Sequence, residues 1–329
     1  MMQRVRIPGN ADLPLIGCIC FGIIDRGTNL LQVRPSSICC LNCVFCSTDL
    51  GPNSRTRITE YLVDCDYLLD YAKEIAKFKG NKDLQMHIDF GEPTTYPELI
   101  DLVQGLKEIK GVEVVSMETK AFLLKENQID ELKEVGLTRI NLSLDALDEE
   151  LVRKIVATKT YDVNRILELA EYTIKTGIDL LIAPVWVPGL NDEEIPKIIE
   201  FAKKIGAKLG IQKYEAHKFG RKPKGIKPIT WWKFYRKLEE WERKFDLRLK
   251  ITPQDFNIHR MRMVPILFQK GEKISVEIRA PGWMKNEMIG VKDGRCVTVV
   301  NCKTKLNSSI KVRILENKHN IFIARMVGI

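Results

Sequence analysis

Two rhythms of apolar residues alternate between about residues 28 and 215. Short, dense apolar blocks predict strands at Leu30–Val33, Gln85–Phe90, Val112–Met117, Arg139–Leu144, Asp179–Val185 and Lys208–Tyr214. Between them, apolar positions recurring every three to four residues predict helices over Tyr61–Lys77, Glu98–Lys110, Glu126–Val135, Asn164–Lys175 and Glu193–Lys204. Gly111, Gly136, Gly177 and Gly206 each follow a predicted helix, where a left-handed cap is favoured. Repeated strand–helix units imply an α/β chain with a parallel sheet. Six units are too few for a closed eight-fold barrel, so an open, partial (βα)6 barrel is expected. Ligands of such a barrel lie at the C-terminal ends of its strands.

The rhythm then changes. Lys213 to Lys227 is a basic loop, and Thr230 to Phe245 has a helical period carrying Trp231, Trp232 and Trp241, a spacing that reads as core. After Pro265 only short strands follow: Lys273–Ala280, Met288–Lys292, Cys296–Val300, Ser309–Leu315 and Ile321–Ala324, two of them joined by an Asp293-Gly294 turn. Five short strands predict a small all-β, OB-like barrel, a scaffold often used on oligonucleotides. The expected division is therefore an N-terminal extension (1–27), the partial barrel with its helical elements (28–250), a linker (251–263) and the small barrel (264–329).

Composition narrows the class. With 45% hydrophobic and 29% charged residues, the 329-residue chain is neither disordered nor membrane-spanning in type. Its longest apolar run, Leu13 to Ile24, contains Pro14 and is too short to cross a bilayer. Asp12 and the lack of a small-residue cleavage site argue against a secretory signal. A cytoplasmic protein without membrane association is expected. Charge divides unevenly: residues 213–329 carry 27 Lys and Arg against 11 Asp and Glu, whereas residues 1–212 carry 25 against 32. A basic C-terminal third of this kind suits a polyanionic partner.

Nine cysteines, four of them packed into Cys39-Cys40-Leu41-Asn42-Cys43-Val44-Phe45-Cys46, read as metal binding in a reducing compartment. Three thiolates spaced C-x3-C-x2-C on one loop can hold three irons of a cubane and leave the fourth open. A structural zinc site normally wants paired C-x2-C motifs or a Cys/His set, and the four histidines here (His87, His217, His259, His319) are scattered. The spacing favours iron–sulfur ligation by Cys39, Cys43 and Cys46.

At these residues the chain resembles the radical S-adenosylmethionine superfamily, whose hallmark is C-x3-C-x-aromatic-C with Phe45 in the aromatic place. Phe90-Gly91-Glu92-Pro93-Thr94 is similar to the family's Gly-Gly-Glu-like grip on the cofactor's amino group, with Phe90 replacing the first glycine. Glu118-Thr119, then Ser143 and Asp145, stand where the family places polar groups, the latter pair on the ribose. Val185 lies in the stretch similar to the one packed on adenine, and Arg153 where some members hold the cofactor carboxylate. The resemblance implies a 4Fe-4S cluster, bound S-adenosylmethionine and a low-potential one-electron donor. It implies reductive cleavage to a 5′-deoxyadenosyl radical that abstracts hydrogen from substrate, the protein binding, orienting and excluding water.

The stretch from Val264 to Val327 resembles a TRAM domain, an RNA-binding barrel of tRNA-modifying enzymes, through Lys270-Gly271-Glu272, Ile289-Gly290, Asp293 to Val297 and Ser309 to Val312. Radical barrel plus TRAM is the layout of the tRNA methylthiotransferases, from which this chain departs in having only 38 residues before Cys39. Expected RNA contacts are Lys218, Arg221, Lys222 and Lys224 in the basic loop, and Arg279, Trp283, Lys285, Arg295, Lys303 and Lys305 in the barrel. Cys18, Cys20, Cys40 and Cys65 read chiefly as buried small hydrophobes, with a second iron–sulfur cluster or a methyl-carrying cysteine as the alternative. The leading expectation is an enzyme, a transferase, that modifies a nucleoside in tRNA or other structured RNA by methylation, methylthiolation or related C–H functionalisation. The competing expectations are radical chemistry on a peptide, protein or small molecule, and a non-catalytic, metal-stabilised RNA-binding module.

Overall fold

The computed structural model describes residues 2–327. In chain order it runs β1 (Gln3–Ile7), β2 (Gly22–Asp25), β3 (Leu30–Arg34), β4 (Thr59–Val63), α1 (Cys65–Lys79), β5 (Leu84–Ile88), α2 (Leu99–Glu108), β6 (Val112–Thr119) and α3 (Glu126–Glu134). It continues with β7 (Arg139–Leu142), α4 (Glu149–Val156), α5 (Val163–Lys175), β8 (Asp179–Ile182), β9 (Val185–Trp186), α6 (Glu194–Ile205), β10 (Lys208–Leu209), β11 (Gln212–Lys213) and α7 (Trp231–Phe245). Five strands end it: β12 (Lys273–Pro281), β13 (Glu287–Lys292), β14 (Arg295–Val300), β15 (Ser309–Glu316) and β16 (Ile323–Met326).

The differences from the expected elements have local causes. The helix expected from Tyr61 begins at Cys65, because Thr59, Tyr61 and Val63 alternate as buried positions of β4, paired in parallel with β1. The strand expected over 179–185 breaks into β8 and β9 around Pro184, which has no N–H to give a ladder. Gly111, Gly136, Gly177 and Gly206 all have the expected positive φ.

The chain forms two compact units, and they do not follow the linear order of the expected domains. One comprises residues 1–38, 55–115 and 258–329; the other comprises 39–54 and 116–257. In the first, β2 and β3 form an antiparallel hairpin and β3 pairs in parallel with β5. A buried ion pair, Lys79 to Asp25 at 2.9 Å, ties these elements to the approach of the small barrel. Lys79 also donates to the Arg262 carbonyl at 2.7 Å, and Asp25 accepts from the Val264 N–H at 2.8 Å. With its further partners supplied by backbone, this pair is satisfied, which is the condition for a buried charge to be tolerated.

The small barrel is closed in the order β12-β13-β14-β16-β15, antiparallel throughout except for β14 with β16. Alternation along β12 sends Ile274, Val276, Ile278 and Ala280 inward, against Val297, Val299, Val312, Ile314 and Phe322. Register shifts at Ile278/Ala280 and Ile314/Glu316 are bulges that let so short a sheet curl on itself.

In the second unit β6, β7, β8 and β10 lie side by side and parallel, with β9 and β11 paired in the same sense just beyond Pro184 and Gly210. Helices α3 to α6 alternate with these strands. The expected strand–helix alternation is thus present, with α4 as an added helix. Among the described residues no helix is long and apolar enough to cross a membrane.

Candidate active site

The cysteine loop belongs to the second unit. Cys39, Cys40, Cys43 and Cys46 are all half-buried. The loop leans on the end of α4: Asn42 N–H donates to the Val156 carbonyl at 3.0 Å and Val44 N–H to that of Ile155 at 2.8 Å. Those carbonyls have no partner inside a helix, so the loop meets an existing need. Phe45 is buried and meets Tyr214 edge-on, ring centres 6.5 Å apart.

Arg221 holds the loop from the other side. Its guanidinium reaches Asp49 Oδ1 at 2.8 Å, the Cys43 carbonyl at 3.1 Å and the Leu50 carbonyl, while its N–H donates to the Cys46 carbonyl at 2.8 Å. Gly220 permits the approach, since a Cβ there would stand 2.9 Å from the Cys46 carbonyl oxygen. The expectation of an RNA contact at Arg221 is corrected: its donors are spent on the cysteine loop. Sequence gave no signal for this, because Arg221 and Asp49 are 172 positions apart.

The donor set suits an iron–sulfur cluster. Among the described residues no group of three or more His, Cys, Asp or Glu side chains is arranged to hold a metal. What fits is the chemistry, three sulfurs on one backbone-braced loop. Burial pushes the Cys43 thiol up to about 11, with the Lys120 ammonium acting against that rise. A thiolate there needs the positive charge that cluster irons supply.

Polar groups gather at the ends of β6 and β7. Glu118 and Asn141 are register partners on adjacent strands, and Ser143 Oγ donates to Glu118 Oε1 at 3.3 Å. Asn141 Oδ1 is buried with no hydrogen-bond partner among the described residues. An orphaned acceptor beside a carboxylate and a hydroxyl fits a ligand bearing hydroxyl or amino donors. Asn141, which opens the Asn141-Leu142-Ser143 stretch, therefore joins Ser143 and Glu118 as a candidate site residue.

Three expected cofactor contacts have partners within the protein. Asp145 is buried, its Oδ2 paired with Lys120 and its Oδ1 accepting from Val185 N–H at 2.9 Å, so no oxygen is left exposed for a ribose. It fixes the Val185 loop instead, together with Asn191, which donates to the Asp145 and Val185 carbonyls at 2.9 Å. The Thr119 hydroxyl accepts from Ala121 N–H at 2.8 Å and shapes the turn after β6. Arg153 bridges Glu149 and the Tyr161 carbonyl on α4.

The Phe90-Gly91-Glu92-Pro93-Thr94 segment belongs to the first unit. Phe90 has φ +77° and Gly91 φ +65°. A left-handed Phe costs about 1–2 kcal/mol, so surrounding contacts must impose it. The Arg34 guanidinium lies 4.5 Å from the Phe90 ring centre and is itself locked to Asp89 at 3.0 Å; Trp283 packs on the same ring at 5.2 Å. Gly91 is obligatory, because a Cβ would fall 2.3 Å from the Ile38 carbonyl oxygen. Glu92 N–H donates to that carbonyl at 2.9 Å, and its side chain accepts from the Thr94 hydroxyl at 2.8 Å, starting the turn at Pro93.

The remaining expected RNA contacts divide. Lys218, Lys222, Lys224, Lys285, Lys303 and Lys305 are exposed. Trp283 is corrected: it is buried between Phe90 and the Arg57 guanidinium, 3.6 Å from its ring centre, and offers no face to a base. Arg279 is paired with Glu277 at 2.9 Å, and Arg295 is half-buried, donating to the Gly294 carbonyl at 3.1 Å. On α7 the core reading holds for Trp241 and fails for Trp231 and Trp232, which are 53% and 65% exposed. Cys18, Cys20 and Cys65 are buried, with the Cys18 and Cys20 sulfurs 3.1 Å apart.

The model of the Radical SAM superfamily matches residues 33–202. An uncharacterized protein of Methanocaldococcus jannaschii is 40% identical over 99% of this chain and 81% of its own length. A protein of Saccharolobus islandicus named probable GTP 3′,8-cyclase is 30% identical over 69% of this chain and 68% of its own. Among solved structures, SuiB of Streptococcus suis aligns with TM-score 0.53 and 23% identity over 66% of this chain and 46% of SuiB. TYW1 with a lysine-pyruvate adduct aligns with TM-score 0.50 and 19% identity over 71% of this chain and 80% of TYW1. These two structures share the fold.

Proposed function

This chain belongs to the radical SAM superfamily, and on that premise we propose that it modifies a nucleoside in RNA, with tRNA as the substrate class. Family membership makes it an enzyme with a 4Fe-4S cluster and S-adenosylmethionine. Bound together, these supply one-electron reductive cleavage of S-adenosylmethionine to a 5′-deoxyadenosyl radical. Cys39, Cys43 and Cys46 would hold the cluster, and Arg221 keeps their loop in one shape. Glu118, Asn141 and Ser143 offer the polar groups for the cofactor, while Asp145 and Asn191 fix the Val185 loop.

The observation that carries the RNA reading is the concentration of positive charge after residue 212, 27 Lys and Arg against 11 Asp and Glu. Neutralising phosphates supplies a large share of the affinity of proteins for nucleic acids. The closed five-stranded barrel with a single parallel pair adds support, because it is consistent with an OB-like scaffold, a frequent oligonucleotide binder. The TRAM-like reading and the transferase activity stand within this proposal. A purine nucleoside triphosphate is the second reading, favoured by the relatives named GTP 3′,8-cyclase.

The deciding experiment uses anaerobically reconstituted protein with a chemical reductant, presented in parallel with unfractionated tRNA and with GTP. Formation of 5′-deoxyadenosine dependent on tRNA, with a new mass among digested tRNA nucleosides, is expected. Turnover dependent on GTP alone would overturn the RNA reading. Alanine at Cys39, Cys43 or Cys46 should abolish 5′-deoxyadenosine in either case.

A further inference from the structure

We infer that looped, single-stranded RNA is gripped by the surface of residues 213–237 in the second unit, where bases stack on Trp231, Trp232 and Tyr235. The inference rests on the RNA reading above and gives the partner a place on the molecule. Over these 25 residues nine Lys and Arg face a single acidic residue, Glu215. Lys218, Lys222, Lys224, Lys227, Lys233 and Arg236 are exposed, and among the described residues none of the six has a salt bridge. Charge held this way is available for phosphates, and releasing their counterions drives binding.

The aromatic rings are the second, independent observation. Helix α7 already buries an apolar face made of Phe234, Leu238, Trp241 and Phe245. Trp231, Trp232 and Tyr235 lie outside that face, with Tyr235 47% exposed. Trp231 and Tyr235 stack at 5.7 Å with planes 27° apart, and the Arg236 guanidinium sits 5.0 Å from the Trp232 ring centre. Large rings left in water beside unpaired cations form the combination that takes unstacked bases between phosphate contacts. The start of α7, capped by Thr230 at 3.3 Å from Lys233 N–H, adds the positive end of a helix dipole to the same place.

The surface also leads to the candidate site. Its loop contains Gly220 and Arg221, which are packed and hydrogen-bonded against the backbone of Cys43 and Cys46. A strand lying along Lys218 to Lys227 therefore runs beside the cysteine loop. An anionic membrane is the rival partner for a basic, tryptophan-bearing helix, but such helices insert an apolar face, and the one α7 has is buried within the protein.

The test uses the full chain, with a fluorescein-labelled uridine dodecamer and labelled unfractionated tRNA followed by anisotropy across a salt series. Trp232→Ala and Tyr235→Ala should each weaken dodecamer binding about five- to a hundredfold, the loss expected for one base stack, and leave the salt slope unchanged. Trp232→Phe should restore binding and Trp232→Leu should not, because a planar face rather than apolar bulk is required. The double reversal Lys222→Glu, Lys224→Glu should flatten the log–log slope by about 1.4. If the chain binds tRNA and all these variants bind as the parent does, the surface assignment is wrong while the RNA reading stands. If the parent binds neither RNA, both fall. Restoration by Leu, or co-sedimentation with phosphatidylserine vesicles that the dodecamer cannot displace, would also overturn the assignment.

Discussion

Two basic regions of similar net charge differ in the aromatic rings that stand beside it. Residues 213–237 hold nine Lys and Arg against one acidic residue, and residues 264–329 hold twelve against five. Among the described residues each region has three cations in salt bridges: Lys270 with Glu316, Arg279 with Glu277 and Lys292 with Asp293 in the barrel, and Lys213 with Glu215, Arg221 with Asp49 and Lys237 with Glu240 in the segment. The barrel's tryptophan, Trp283, is buried under Arg57. In the 213–237 segment one arginine, Arg221, is structural, and most other cations and four large aromatics face solvent. Net charge alone would have ranked the two alike. What separates them is how many rings lack a core.

The comparison can be broken most directly at Arg221. Arg221→Ala removes the cation paired with buried Asp49, and losing one member of such a pair costs about 3–5 kcal/mol. Denaturant unfolding should report that loss, hydrogen exchange should speed up over Cys46–Leu50, and reconstituted iron should fall below the parent value. Arg221→Lys should recover little, since a point charge cannot serve Asp49 and two carbonyls together. A variant as stable and as iron-rich as the parent would return Arg221 to the pool of surface cations.

The tryptophans give the next contrast. Trp283→Ala should cost about 3–5 kcal/mol, as truncation of a buried aromatic does. Trp232→Ala should change stability by less than about 0.5 kcal/mol. Equal losses measured by chemical denaturation would erase the distinction between a core ring and a surface ring.

A pH series separates a carboxylate of the barrel from one on α7. Burial raises Glu287 in the barrel above the usual carboxylate range, with Met284 N–H and Arg57 opposing the shift. A carboxyl raised on folding contributes stability that is present below its unfolded pKa and is lost as pH rises through its folded one. The parent should therefore lose stability relative to Glu287→Gln as pH rises out of the carboxylate range. On α7 the Lys250 ammonium lowers Glu239, so there the parent should lose stability relative to Glu239→Gln as pH falls through the acid range. Slopes of the same sign would contradict the assigned environments.

The smallest effect is expected in the barrel's exposed lysines. Lys303→Glu with Lys305→Glu should leave stability within about 0.5 kcal/mol of the parent. It should also leave the dodecamer salt slope close to that of the parent, in contrast to Lys222 and Lys224. A slope change as large as theirs would move the RNA grip to the barrel.

Much of the fold was legible because periodicity is local. Inward alternation along Ile274, Val276 and Ile278 marks a strand whatever it pairs with, and a glycine after a helix marks a cap without reference to the rest of the chain. The cysteine loop was legible for the same reason: its three thiols lie within eight residues. Strand β4 was missed because its alternation runs directly into the amphipathic α1, and the join is visible only through pairing with β1.

What sequence alone determined, then, is everything carried by neighbours along the chain: the strand–helix rhythm, the five-strand barrel, the cysteine spacing and the uneven charge. Tertiary structure decided what each polar or aromatic residue is free to do. Asp145 looks like a ligand contact until Lys120 and Val185 occupy its oxygens, and Arg221 like a surface cation until Asp49 and Cys43 claim it. Trp232 and Trp283 differ in nothing the sequence shows, yet one is a surface and the other a wedge behind Phe90. A side chain's availability depends on partners tens to hundreds of residues away, and the free energy of satisfying a buried charge or ring is fixed only when those partners meet.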